Sequence, residues 1–245
     1  LALDNNFDAG KVTNIQAMFL NTGYNATNLN LHLGENFNAS KTSSFDMFTN
    51  LGYNSTNLTL NLGNNFNACN VASLQYGTFK SVGKKAKYIN IDFGNNFNAS
   101  KAERTYYMFE AAFDSVIDLN INLGNNFNIS KATDTGGMFI RAAAGASVVN
   151  LSLDLGNNFN AVNVTTMHNM FHPLGNRCSN NFSLNLGNNF GGDKVNSMGN
   201  MFKWTGRGAT NFSLNLGNNF NTSSVTYMDN MFVEAGYWAA NFSIA

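Results

Sequence analysis

Leu214-Asn215-Leu216-Gly217-Asn218-Asn219-Phe220-Asn221, followed by Met231-Phe232, is one copy of a unit that the chain repeats eight times. Its first phenylalanine recurs at Phe7, Phe37, Phe66, Phe97, Phe127, Phe159, Phe190 and Phe220. A second, usually preceded by Met, follows 11 to 13 residues later at Phe19, Phe48, Phe79, Phe109, Phe139, Phe171, Phe202 and Phe232. Successive copies lie 29 to 32 residues apart. Self-similarity at such a period marks a solenoid, in which each unit buries its apolar face only against its neighbours. A single array over residues 1–245 is therefore expected, and residues present eight times are assigned to stacking rather than to catalysis. The array opens at Leu1 and stops at Ala245 inside a repeat, without the polar caps solenoids use. It reads as truncated mid-repeat at both ends, or as a unit whose ends other copies cover.

Within each copy the stretch before the glycine alternates apolar and polar residues, as in Leu58-Thr59-Leu60-Asn61-Leu62 and Leu119-Asn120-Ile121-Asn122-Leu123. Period-2 alternation predicts a strand with one buried face. One strand per repeat, all running the same way, predicts a single parallel sheet. The glycine (Gly34, Gly63, Gly94, Gly124, Gly156, Gly187, Gly217) suits a sharp turn with positive φ. The asparagines after it are expected to donate to carbonyls of the next layer, giving a ladder. Next, Val164, Met167, Met170 and Phe171 fall at i, i+3, i+6 and i+7, as do Val12, Ile15, Met18 and Phe19. That spacing predicts the buried stripe of a two-turn helix, with Ser40, Ser100, Ser130 and Ser223 as N-caps. Around Gly136-Gly137 a 3-10-like turn is expected instead. The fold class expected is thus an α/β repeat: a leucine-rich-repeat-like solenoid with one parallel sheet, and one strand and one short helix or 3-10 turn per repeat.

The composite pattern L-x-L-G-N-N-F-N-x-S-x-V-x-x-M-x-x-M-F is best matched at Leu60–Phe66, Val164–Phe171 and Thr222–Phe232. It resembles the repeats of bacterial BspA-like leucine-rich-repeat surface proteins, over essentially the whole chain. The resemblance implies a leucine-rich-repeat-like fold on a secreted or cell-surface, extracellular protein serving in adhesion. The chain departs from that family in carrying Asn where Asp is commoner, and the family transfers no set of binding residues.

Charged residues are only 11% of the chain and the formal net charge is zero, so nothing in its charge draws nucleic acid or an anionic membrane. No apolar run approaches the roughly 20 residues of a membrane span. Asparagine is abundant, at 47 residues, yet 44% hydrophobic content with 22 Phe argues for a packed interior over disorder. Cys69 and Cys178 sit three repeats apart, roughly 14 Å at one strand spacing per repeat, beyond disulfide reach.

The search for chemistry yields no catalytic residue, no metal site and no cofactor motif. His168 and His172 have i, i+4 spacing but lack the glutamate of a zinc-hydrolase helix. G-N-N-F-N lacks the second Gly and the Lys of a phosphate loop. Lys11, Lys41, Lys101, Lys131 and Lys194 form a column read as a solubilising face. Sequons such as Asn54 and Asn98 are frequent; on a eukaryotic secretory route the exposed ones would be glycosylated, and in an Asn- and Ser-rich bacterial chain they arise by chance.

What the repeat leaves free is the outward face of the strands. One column reads Asn30, Thr59, Asn90, Asn120, Ser152, Ser183, Ser213; the other His32, Asn61, Asp92, Asn122, Asp154, Asn185, Asn215. These are the candidate binding residues. The two columns make a flat, neutral surface, rich in hydrogen-bonding groups and without the Trp, Tyr or Arg that anchor protein–protein hot spots. The function expected is a non-enzymatic repeat protein that mediates adhesion or protein–protein interaction, with a protein or glycan at a cell surface or matrix as partner. The alternative is a structural subunit that polymerises end to end through exposed strand edges. A glycan- or ice-binding lattice stands behind both.

Overall fold

The computed structural model describes residues 1–3, 7–43, 45–74, 77–145, 148–157, 159 and 161–245. The motif residues Asn5, Asn6, Asn158 and Asn160, expected above as ladder donors, lie outside the described residues. Eight strands form one sheet: β1 (Asn28–His32), β2 (Asn57–Asn61), β3 (Tyr88–Asp92), β4 (Asp118–Asn122), β5 (Asn150–Asp154), β6 (Asn181–Asn185), β7 (Asn211–Asn215) and β8 (Asn241–Ile244). They are ordered as in the sequence, and every pair is parallel and in register, Leu60 beside Ile91 and Ile91 beside Ile121. Before β1, Ala2 adds a single bridge to His32.

Two further rows of parallel bridges run along the coil. One joins Asn38, Asn67, Asn98 and Asn128; the other joins Ser73, Arg104, Asp134, Thr166, Ser197 and Tyr227. Each turn of chain thus pairs with its neighbours along more than one side. The molecule is a parallel β-solenoid, and among the described residues there is no helix.

This overturns the expected leucine-rich-repeat-like α/β fold. The stripe itself is correct within the array, where Val164, Met167, Met170 and Phe171 are fully buried, while in the first coil Ile15 and Phe19 are buried and Val12 and Met18 are exposed. Its backbone is a run of tight turns. Met170 N donates to Met167 O (3.2 Å) and His172 N to Asn169 O (3.0 Å), while the alternate amides reach the next coil, Asn169 N to Gly199 O (3.0 Å) and Phe171 N to Met201 O (3.0 Å). Such alternation requires left-handed residues at intervals, here Asn169 (φ 55°) and Gly175 (φ 58°). The expected N-cap serines instead offer their backbone N–H to the preceding asparagine, Ser40 to Asn38 Oδ1 (3.1 Å) and Ser130 to Asn128 Oδ1 (3.1 Å).

The reason is spacing. An α-helix with its side chains is about 10 Å across, whereas stacked strands sit about 4.8 Å apart. A helix-bearing solenoid must fan open on the helix side. Here the second phenylalanine column keeps strand-like spacing, with ring centroids 4.8 Å apart for Phe109–Phe139 and 5.5 Å for Phe171–Phe202. The first column is just as tight, at 4.9 Å for Phe97–Phe127. Both sides advance by one strand spacing per coil, leaving no room for a helix.

The core lies between these two aromatic columns and the inward strand residues, such as Leu58 and Leu60 of β2 and Ile89 and Ile91 of β3, all buried. The asparagine ladder exists in a different form from the one expected. Amide bonds to amide, as in Asn126 to Asn96 (2.9 Å), Asn96 to Asn65 (3.0 Å) and Asn65 to Asn36 (3.0 Å). Only single cases reach a carbonyl, Asn163 Nδ2 donating to Ser130 O (2.7 Å) for one.

Candidate functional site

The outward strand face carries three columns, because each strand begins one residue before the alternation predicts. The row nearest the turn to glycine is His32, Asn61, Asp92, Asn122, Asp154, Asn185 and Asn215. Most of it is occupied by the fold: Asn61 Oδ1 accepts from Gly63 N (2.7 Å), Asp92 from Gly94 (2.9 Å), Asn122 from Gly124 (2.9 Å), Asp154 from Gly156 (2.8 Å), Asn185 from Gly187 (3.1 Å) and Asn215 from Gly217 (2.9 Å). These side chains hold the sharp turn closed. His32 differs, with Nε2 3.6 Å from the Glu35 carboxylate.

The middle row (Asn30, Thr59, Asn90, Asn120, Ser152, Ser183 and Ser213) points to solvent or sits half-buried. Within it Asn120 Nδ2 donates to Asn90 Oδ1 at 2.8 Å.

The first row, at the opening position of each strand, was missed: Asn28, Asn57, Tyr88, Asp118, Asn150, Asn181, Asn211 and Asn241. The available signal was an Asn directly ahead of the alternating residues in six of the eight copies. These amides form a ladder, Asn181 to Asn150 (2.9 Å), Asn211 to Asn181 (2.8 Å) and Asn241 to Asn211 (2.7 Å). Two copies break the rule. Tyr88 supplies an aromatic side chain and is 45% exposed, and its register partner on the next strand is the exposed Asp118. Both line an open groove of about 450 Å³ along the first and middle rows from β2 to β6, together with Thr59, Asn90, Asn120 and Ser152. That volume lies in the usual range for a small-ligand site.

The ionisable groups with displaced pKa values do not line this groove. Burial raises the Asp114 carboxyl, and the Lys84 and Arg141 charges pull it partly back. Burial alone raises Asp46. Burial lowers His172, opposed by its hydrogen bond to the Lys203 carbonyl (2.8 Å) and aided by the Lys203 and Arg141 charges. The His168–His172 pair has no helix to place both rings on one face: His168 Nδ1 bonds the Thr166 hydroxyl (3.0 Å) and His172 Nδ1 donates to Lys203 O. Among the described residues no group of three His, Cys, Asp or Glu converges in a way that could hold a metal ion. The lysine column is partly tied to the coil, Lys101 Nζ donating to Asn70 Oδ1 (2.6 Å) and Lys194 Nζ to Asn163 Oδ1 (2.8 Å).

Both cysteines are free. Cys178 is fully buried, with Sγ donating to Val149 O (3.3 Å) and Asn181 O (3.2 Å), and burial pushes its thiol up from 9.0 to about 11. A thiol reagent at about pH 8 is expected to label half-buried Cys69 and to reach Cys178 only on unfolding. Equal native labelling rates for the two would contradict the packing. The unfolded thiol ionises first, so its stabilising contribution is complete below pH 9.0 and lost as the pH climbs to about 11.

No helix among the described residues is long and apolar enough to cross a membrane. No curated protein and no solved structure matches the chain. It does match the family described as Mycoplasma protein of unknown function, DUF285, twice in succession, over residues 53–150 and 143–243. The match supports the repeat as such, and it does not carry the more specific BspA-like identity. Together the two matches cover most of the sequence, and the chain belongs to the Mycoplasma DUF285 family.

Proposed function

We propose that the chain is a non-enzymatic, secreted or cell-surface repeat protein that mediates adhesion through its outward strand face. The observation that carries this reading is the groove along β2–β6, where Tyr88 and Asp118 interrupt an otherwise regular amide ladder. The rest of the repeat is spent on the stack. The row beside the glycines closes turns and the phenylalanine columns fill the core, so recognition falls to the first and middle rows. A rigid face of this kind presents many weak polar contacts at fixed intervals, which suits multivalent attachment.

Beads coated with the 245-residue chain, washed over cell monolayers and over surfaces coated with purified matrix proteins, test the proposal. Retention is expected for the native chain and is expected to be lost when Asn90, Asn120 and Ser152 are replaced together by Lys. No retention on any surface would sink the adhesive reading.

A further inference from the structure

We propose that the groove along β2–β6 binds an uncharged, hydroxyl-rich glycan chain lying parallel to the solenoid axis, with the Tyr88 ring as its stacking platform; this rests on the adhesive reading above. The first observation is the departure from the repeat. Asn at the first strand position lets each amide donate to the one below, as Asn211 does to Asn181 and Asn241 to Asn211. Tyr88 cannot continue that chain, and Asp118 can only accept, which it does from Asn150 Nδ2 (3.3 Å). Neither change improves the stack. Both occur on adjacent strands inside the groove, and they leave an aromatic face open to solvent beside a carboxylate.

The second observation is the kind of hydrogen bond the groove offers. A sugar hydroxyl both donates and accepts, so its best partners do the same. A carboxamide carries two N–H donors and an oxygen with two lone pairs. Asn150 and Asn181, both lining the groove, each commit one amide N–H to the ladder and keep the other. Thr59, Ser152 and Ser183 add hydroxyls to the same groove. The ring of Tyr88 then supplies an apolar surface for the C–H face of a pyranose, the one part of a sugar that amides cannot satisfy.

The third observation is charge and reach. None of the outward strand positions is Lys or Arg, while Asp92, Asp118 and Asp154 place carboxylates there. A sulfated or sialylated chain would meet like charge on entry. From β2 to β6 the groove crosses four strand spacings, about 19 Å, enough for several linked sugars. A basic peptide could also set a lysine against Tyr88 and Asp118. The groove's lining favours the glycan, since neutral groups that both donate and accept far outnumber its single carboxylate.

The test uses the full chain on a printed array of neutral and sulfated glycans, followed by calorimetry with the best neutral binder and with tetralysine. Neutral glycans are expected to bind and sulfated ones to be rejected. Tyr88→Asn restores the residue the repeat prefers, so it is expected to fold at least as well as the native chain while losing about tenfold or more in affinity. Tyr237→Asn, outside the groove, is expected to keep native affinity. Silence of the neutral glycans, unchanged affinity in Tyr88→Asn, or binding of tetralysine alone would each overturn the assignment. If coated beads still adhere to cells in any of those cases, the adhesive reading stands and only the ligand class falls.

Discussion

Gly124→Ala is expected to destabilise the array by on the order of 4 kcal/mol, lowering the urea midpoint with little change in slope. A Cβ at this position would lie 1.7 Å from the carbonyl oxygen of Gly94 in the coil below, with the backbone at φ +74°. The conformation alone costs an alanine about 1–2 kcal/mol. The clash is with backbone, so it cannot be relieved by a rotamer; one coil must lift from the other. That movement would stretch the bonds joining the two coils at the strand end, Phe93 N to Asn122 O (2.9 Å) and Asn122 Nδ2 to Asp92 Oδ1 (3.1 Å), each hydrogen bond contributing about 1 kcal/mol. Gly191→Ala is the control. It also sits at positive φ (+66°), but the nearest atom to its added Cβ is Asn189 O at 3.7 Å. It should cost about 1–2 kcal/mol, the conformational part alone. Equal losses at the two sites would show that coil-to-coil contact at the glycine column is not what fixes the stack.

That column was visible in the sequence, as were the strand register and both phenylalanine rows, because the glycine recurs seven times and each phenylalanine eight, all on one period. The turn run was misread for a physical reason. Residues at i, i+3, i+6 and i+7 face one way on a helix, and here they also face inward on a chain of turns. Side-chain spacing cannot separate the two. The discriminating signal was in the backbone-permissive residues: Asn169, Asn200 and Asn230 two before the phenylalanine, and Gly23, Gly52, Gly83, Gly175, Gly206 and Gly236 four after it, all at positive φ. A glycine at that point in six of the eight copies is poor helix material and good turn material.

Of the candidate site, the two predicted columns lie where alternation placed them, but alternation could not show that one of them is spent on holding turns. Asn61 and Asn185 look as available in sequence as Asn90 does; only their acceptance of a glycine N–H separates them. The first row was lost because polar residues at a strand start read equally well as loop. Tyr88 and Asp118 could have been found by asking where a repeat disobeys itself, since a departure at a stacked position forfeits a ladder contact.

Phe109→Ala is expected to cost about 3–5 kcal/mol and to divide the array. Its ring stacks between Phe79 (5.0 Å) and Phe139 (4.8 Å) and meets Phe93 (6.1 Å) and Phe113 (6.2 Å). Aromatic pairs contribute about 0.5–1.5 kcal/mol each beyond area, so the loss exceeds that of an isolated core residue. Because a solenoid is stabilised by nearest-neighbour interfaces, the damage is expected to stay local in space. Hydrogen exchange should rise in the coils containing Phe79, Phe109 and Phe139 while β7 and β8 keep native protection. Phe232→Ala, removing a 40% exposed ring with one stacked neighbour (Phe202, 5.3 Å), should cost about 1–2 kcal/mol and loosen only the last coil. If Phe109→Ala instead raised exchange uniformly from β1 to β8, the coils would be folding as one cooperative body, and the nearest-neighbour account of this stack would be wrong.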